Sequence, residues 1–176
     1  MLGCSYNNMV NREEKVESAW AQVETQYQRR ADLIPNLVNT VKGAADFEQE
    51  TLTRVVEARA AATSIKLNAD DLTPENLRRF QEAQDQLSGA LSRLLVIVER
   101  YPDIKANQNF RDLQVQLEGT ENRIATARKD FNDAVMAYNA FIRRFPNNLI
   151  AGLFGFEKRG YFEASEGAER VPEVKF

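Results

Sequence analysis

The sequence contains no histidine and a single cysteine, Cys4. These gaps exclude zinc sites of the Cys/His kind, Glu-x-x-His di-iron sites, Ser-His-Asp triads and Cys-His dyads. They also exclude any intramolecular disulfide, so cysteine usage says nothing about redox compartment. No apolar run approaches the roughly 20 residues that a membrane-crossing helix needs. A surplus of positive charge is missing too: 23 basic against 26 acidic side chains leave a net charge of −3. That balance argues against a partner held by general attraction to nucleic-acid phosphate. There is no Gly-rich phosphate loop and no nucleophile motif. No cofactor and no metal are expected, and an enzyme remains a competing class only through carboxylates and tyrosines.

Breakers are scarce: eight glycines and five prolines in 176 residues. Pro35, Pro74, Pro102 and Pro146 divide the chain into four long segments and a tail. Each segment carries apolar residues at alternating steps of three and four. The fourth reads Phe110, Leu113, Leu117, Thr120, Ile124, Ala127, Phe131, Ala134, Tyr138, Phe141, Phe145. The third runs from Leu77 through Phe80, Leu87 and Leu94 to Tyr101, the second from Val38 through Leu52 to Ala62, and the first from Met9 through Trp20 to Tyr27. Such seams predict helices near 8–31, 35–66, 74–100 and 107–145, packed side by side at shallow angles. The expected fold class is all-α: an elongated antiparallel up-down four-helix bundle over 8–145. Residues 1–7 precede it as an anchor remnant or lipoprotein start, and a partly irregular apolar tail, 146–176, packs at its base.

Local signals support those limits. Thr73-Pro74-Glu75 supplies an N-cap, a proline at the first helical position and an acid in the first turn. Asn107 can cap the fourth helix, and Asp32 the second, with Pro35 at its start. Leu33-Ile34-Pro35 reads either as a loop or as a kink in one longer helix. Glu13, Glu48, Arg59 and Gln84 on the seams read as flanking positions or as buried polar layers that fix register.

Several stretches resemble the LemA family. They are Tyr6-Asn7-Asn8-Met9-Val10, Arg29-Arg30-Ala31-Asp32-Leu33-Ile34-Pro35-Asn36-Leu37-Val38 and Thr40-Val41-Lys42-Gly43. Tyr101 to Asn107 with Phe110, Thr120 to Ala125 with Ala127-Arg128, Tyr138-Asn139 and Phe145-Pro146 also match. The resemblance implies a four-helix bundle, a bacterial envelope location, an N-terminal membrane anchor and no established enzymatic activity. The sequence departs from the family where an aromatic residue and a histidine are usual after Lys42-Gly43; Ala44 and Phe47 stand there instead.

Met1-Leu2-Gly3-Cys4 looks like the end of a lipoprotein signal, which makes Cys4 a candidate acylated residue on a periplasm-facing lipoprotein. A frayed terminus with a free cysteine is the plain alternative. In an up-down bundle tethered there, the connections at 29–36 and 101–107 share the far tip. That places Arg29, Arg30, Asp32, Asn36, Asp103, Lys105 and Asn107 together as a candidate surface for a protein partner. Capping and local ion pairs explain the same residues singly. The tail offers Leu149, Ile150, Leu153, Phe154, Phe156, Lys158 and Arg159 for a core plug, a membrane interface or self-association. Val171 to Phe176 alternates apolar and polar residues, as a short strand or a packed segment would.

Overall fold

The computed structural model describes residues 2–44 and 46–164; the side chain of Leu2 is not among them. The described chain is all-helical. In order it comprises α1 (Leu2–Lys42), α2 (Gln49–Ser64), a short 3-10 turn (Ala69–Asp71), α3 (Pro74–Val98), α4 (Pro102–Ala106), α5 (Gln108–Arg143) and α6 (Asn147–Phe154). Residues 155–164 follow as an extended strap. The alternating segment 171–176 lies outside the described residues.

The first correction concerns α1. Pro35 does not open a second helix; it lies inside a single helix of 41 residues. A proline within a helix removes the N–H that would donate to the carbonyl four residues earlier. Here that carbonyl belongs to Ala31, and Arg59 Nε on α2 donates to it at 2.8 Å. A side chain from the neighbouring helix thus replaces the missing backbone donor. Asp32 caps nothing: its carboxylate accepts from Gln28 within α1 at 2.8 Å. The chain breaks instead after Lys42, and α2 keeps only 16 residues.

The other two predicted caps are present. Thr73 Oγ1 accepts from the amide of Asn76 at 3.2 Å, with Pro74 opening α3, and Asn107 Oδ1 accepts from the amide of Phe110 at 3.1 Å.

Two apolar clusters form the interior. One joins Ile34, Leu37 and Val41 of α1 with Leu52 and Val55 of α2, Leu87 and Leu94 of α3, and Phe110 and Leu117 of α5. The other joins Met9, Trp20 and Tyr27 of α1 with Phe80 of α3 and Phe131, Val135 and Tyr138 of α5. In that second cluster α2 contributes no buried residue; Leu72, Ile150, Ala151 and Phe162 enter instead. The side chain of Phe162 sits 5.4 Å from the Phe131 ring and 6.2 Å from Trp20.

A polar layer stands between the clusters. Arg30 is 1% exposed. Its guanidinium donates to Ser88 Oγ (2.6 Å), Glu121 Oε1 (3.0 Å) and the Gln84 carbonyl and side-chain oxygens (3.0 and 2.7 Å). A buried cation needs such a set, because its desolvation is otherwise uncompensated.

The buried seam of α5 also drifts. Positions 110 to 131 follow the predicted heptad, but Val135 and Ile142 are buried where Ala134 and Phe141 were expected, and Phe145 is 80% exposed. A straight helix of 3.6 residues per turn walks off a strict seven-residue repeat by about 20° per heptad, which shifts the core-facing position by one residue over a few heptads.

Candidate functional site

The strap is held by side-chain amides that pair with its backbone. The Asn139 side chain accepts from the Arg159 amide (3.0 Å) and donates to its carbonyl (2.9 Å). Asn132 does the same to Phe162 (2.8 and 2.9 Å), and Gln81 to Glu163 (2.8 and 2.8 Å). Each amide presents one donor and one acceptor, as a neighbouring strand would. Gly160 donates to the Leu72 carbonyl at 2.9 Å. A Cβ at Gly160 would stand 2.8 Å from Pro74 Cα, so only glycine lets the strap approach α3 this closely.

This clasp fixes α6 at one end of the molecule. Gly155, with φ +75°, ends α6 in the left-handed conformation, and the Phe156 amide returns to the Ala151 carbonyl at 2.9 Å. Ile150 and Ala151 face the interior, whereas Leu149 (65% exposed), Leu153 (79%) and Phe154 (58%) face outward. Tyr6 of α1 packs its ring on Phe154 (4.9 Å) and Phe156 (5.8 Å). The exposed Cys4 lies two residues before Tyr6. Exposed Phe145 and the exposed pair Arg143-Arg144 precede α6 directly.

The tail residues singled out from the sequence therefore divide. Leu149, Leu153, Phe154 and Lys158 are on the surface. Ile150 is in the core, and Phe156 is partly buried against it. Arg159 is 8% exposed and ion-paired with Glu13 at 2.8 Å, so it is a buried tie between strap and α1 rather than a surface cation. Phe145 was missed as a surface residue because it continues the strict heptad on paper.

The proposed far tip is also redrawn. Arg29, Arg30, Asp32 and Asn36 lie along α1, with Arg29 13 residues before its end, roughly 20 Å at 1.5 Å per residue. Arg29, Asp32 and Asn36 are exposed there, and Arg30 is interior. Asp103 and Lys105 are exposed on α4, and Asn107 is the cap of α5. The segment that meets 101–107 is 43–48. Tyr101 donates to the Asp46 carbonyl at 3.0 Å, and its ring lies 5.0 Å from Phe47. Phe47, one of the two departures from the family pattern, thus closes this end of the core.

The polar seam residues have partners: Glu13 with Arg159, Arg59 with Ala31, Gln84 with Arg30, and Glu48 accepting from Thr51 at 3.2 Å. Tyr138 donates to the Glu157 carbonyl at 3.0 Å. Burial, with Glu13 and Glu157 nearby outweighing Arg159, pushes its phenol up to about 12. Among the described residues no group of three or more Cys, Asp or Glu side chains is arranged to hold a metal ion. No described helix is long and apolar enough to cross a membrane.

These features define a helical protein with one apolar, α6-bearing end and one loop-closed end. The LemA family profile matches residues 19–176, and the chain belongs to that family. It is similar to the magnetosome proteins MamQ 1 and MamQ 2 of Paramagnetospirillum magneticum. Each is 27% identical over 175 residues, covering 90% of this chain and 64% of theirs. Protein LemA of Metamycoplasma hominis is 24% identical over 165 residues, covering 94% of this chain and 71% of its own. The chain thus spans less than two thirds of the MamQ proteins' length.

Proposed function

We propose that this is a membrane-tethered, non-enzymatic adaptor or scaffold of the bacterial cell envelope. The observation that carries the reading is the shared end of Cys4, Tyr6 and the outward face of α6. A helix that turns Leu149, Leu153 and Phe154 outward, with Arg143, Arg144 and Lys158 close by, suits an interfacial position on anionic lipid. Acylation of Cys4 would set the lipid beside it. An up-down arrangement of α1, α2, α3 and α5 is part of this reading. Opposite senses along α1 and α5 support it, since Arg12 stacks over Phe141, Trp20 meets Phe131 and Arg30 meets Glu121. On that arrangement the 43–48 and 99–107 end points away from the membrane, and exposed Asp103 and Lys105 are offered there to a protein partner. Arg29, Asp32 and Asn36 present a second, lateral surface on α1.

The test uses protein carrying Cys4→Ser with vesicles of phosphatidylglycerol and phosphatidylcholine. Co-sedimentation is expected, and it is expected to vanish on joint substitution of Leu149, Leu153 and Phe154 by serine. Absence of vesicle binding refutes the interfacial position of α6. If the unsubstituted protein is instead a multimer that the same serines dissociate, the exposed face is a self-association strip.

A further inference from the structure

α2 is much shorter than the helices beside it, and this has a local consequence. Where α2 stops at Ser64, the groove between α1 and α3 is covered only by the extended segment 65–68. Trp20 Nε1 ties that segment down by donating to the Leu67 carbonyl at 3.1 Å. A cleft of about 350 Å³ remains beside it, within the size range of small-molecule sites. Its walls include the aromatic rings of Trp20, Tyr27 and Phe80 and the side chain of Leu87. Glu24 and Lys66 also line it.

Glu24 is unusual among the acidic side chains here. It is partly withdrawn from water, and burial raises its carboxyl above the usual range. No described lysine or arginine lies within ion-pair distance of it: it enters none of the salt bridges, and Lys66 does not pair with it. A desolvated carboxylate beside an indole and two further aromatic rings is the combination that recognises an ammonium group on an apolar body. The carboxylate supplies a charge-assisted hydrogen bond, and the aromatic faces favour the cation and bury the hydrocarbon.

We infer that the cleft between α1, α3 and segment 65–68 is a binding site for a small amphipathic amine, with Glu24 holding the ammonium and Trp20, Phe80 and Leu87 the apolar part. This site is separate from the α6 end, and its occupancy does not depend on membrane attachment.

Trp20 is the sole tryptophan in the chain, so its emission reports on this cleft alone. The probe is cyclohexylamine, with cyclohexanol and cyclohexanecarboxylate as isosteric controls, titrated into the full chain at neutral pH. The amine is expected to shift Trp20 emission saturably at millimolar concentration. Glu24→Gln, at an exposed position, is expected to keep the helical circular dichroism and weaken the amine about tenfold. Lys66→Gln is expected to leave amine binding unchanged or tighter, because it removes a like charge. A chemical-shift titration of backbone amides should place the effect at residues 20–28, 65–68 and 80–87. No saturable shift, equal binding of the alcohol, tighter binding of the carboxylate, or unchanged amine binding in Glu24→Gln would each overturn the inference.

Discussion

The proline inside α1 gives the sharpest quantitative prediction. Pro35 removes one backbone donor, and Arg59 Nε supplies its replacement to the Ala31 carbonyl at 2.8 Å. A hydrogen bond from a charged donor contributes about 1.5–3 kcal/mol, and a carbonyl left without a donor keeps its desolvation penalty. Arg59→Met should therefore destabilise the protein by about 2 kcal/mol, a fall in Tm of roughly 4–8 °C for a chain of this size. In a Pro35→Ala background the new amide can donate to Ala31 as in any helix. Arg59→Met should then cost less than about 1 kcal/mol. The double-mutant cycle should yield a coupling of about 1–2 kcal/mol between residues 24 positions apart in sequence. Urea unfolding followed by far-UV circular dichroism measures all four corners. If Arg59→Met costs the same in both backgrounds to within about 0.5 kcal/mol, Arg59 is not substituting for the missing donor, and the account of how α1 tolerates proline fails.

Other perturbations have comparably definite outcomes. Arg30→Met strips the cation from a layer of Gln84, Ser88 and Glu121 and should cost about 3–5 kcal/mol; Glu121→Gln, whose side chain is 44% exposed, should cost less than about 1 kcal/mol. Near-equal losses in denaturant titrations would show that the layer is not centred on Arg30. Gly160→Ala places a Cβ 2.8 Å from Pro74 Cα. It should destabilise by about 1–3 kcal/mol and alter Trp20 fluorescence by displacing Phe162; an unperturbed spectrum and midpoint would refute the close approach. The raised Tyr138 phenol stays protonated in the folded state while the unfolded phenol ionises near 10. Its contribution is therefore complete below pH 10 and lost as pH rises towards 12. Ultraviolet phenolate titration, compared with Tyr138→Phe, should lose a transition near 12; losing one near 10 instead would contradict the buried hydrogen bond to Glu157.

The helical class and most buried positions were legible because each buried face repeats every three or four residues. Two things were not. The first was the continuity of α1. The spacing Tyr27, Arg30, Ile34, Leu37, Val41 carries the seam straight through Pro35, and it would have revealed both the uninterrupted helix and an interior Arg30. Arginine is so rarely buried without partners that its place on the seam reads as accidental, and those partners lie 54 to 91 residues away. Proline likewise reads as a boundary because its rescuing donor is not local. The second was the strap. Asn132, Asn139 and Gln81 read as ordinary polar residues, and nothing near them in sequence shows that each pairs with the backbone of residues 159–163.

That clasp bears on how the α6 end can be tested. α6 is positioned through Ile150 and Ala151 on its inner face, the left-handed turn at Gly155 and the amide-held strap beyond it. Leu149, Leu153 and Phe154 contribute little to any of these, being 65%, 79% and 58% exposed. Polar substitutions at such positions usually change stability by no more than about 0.5 kcal/mol. An apolar face that folding does not need is retained only at a cost in solubility unless something covers it. The serine triple substitution therefore separates attachment from folding. Its unfolding midpoint should match that of the unsubstituted protein while its vesicle binding is lost. A fall in stability of several kcal/mol would mean that the face is internal packing, and the membrane reading would lose its principal support.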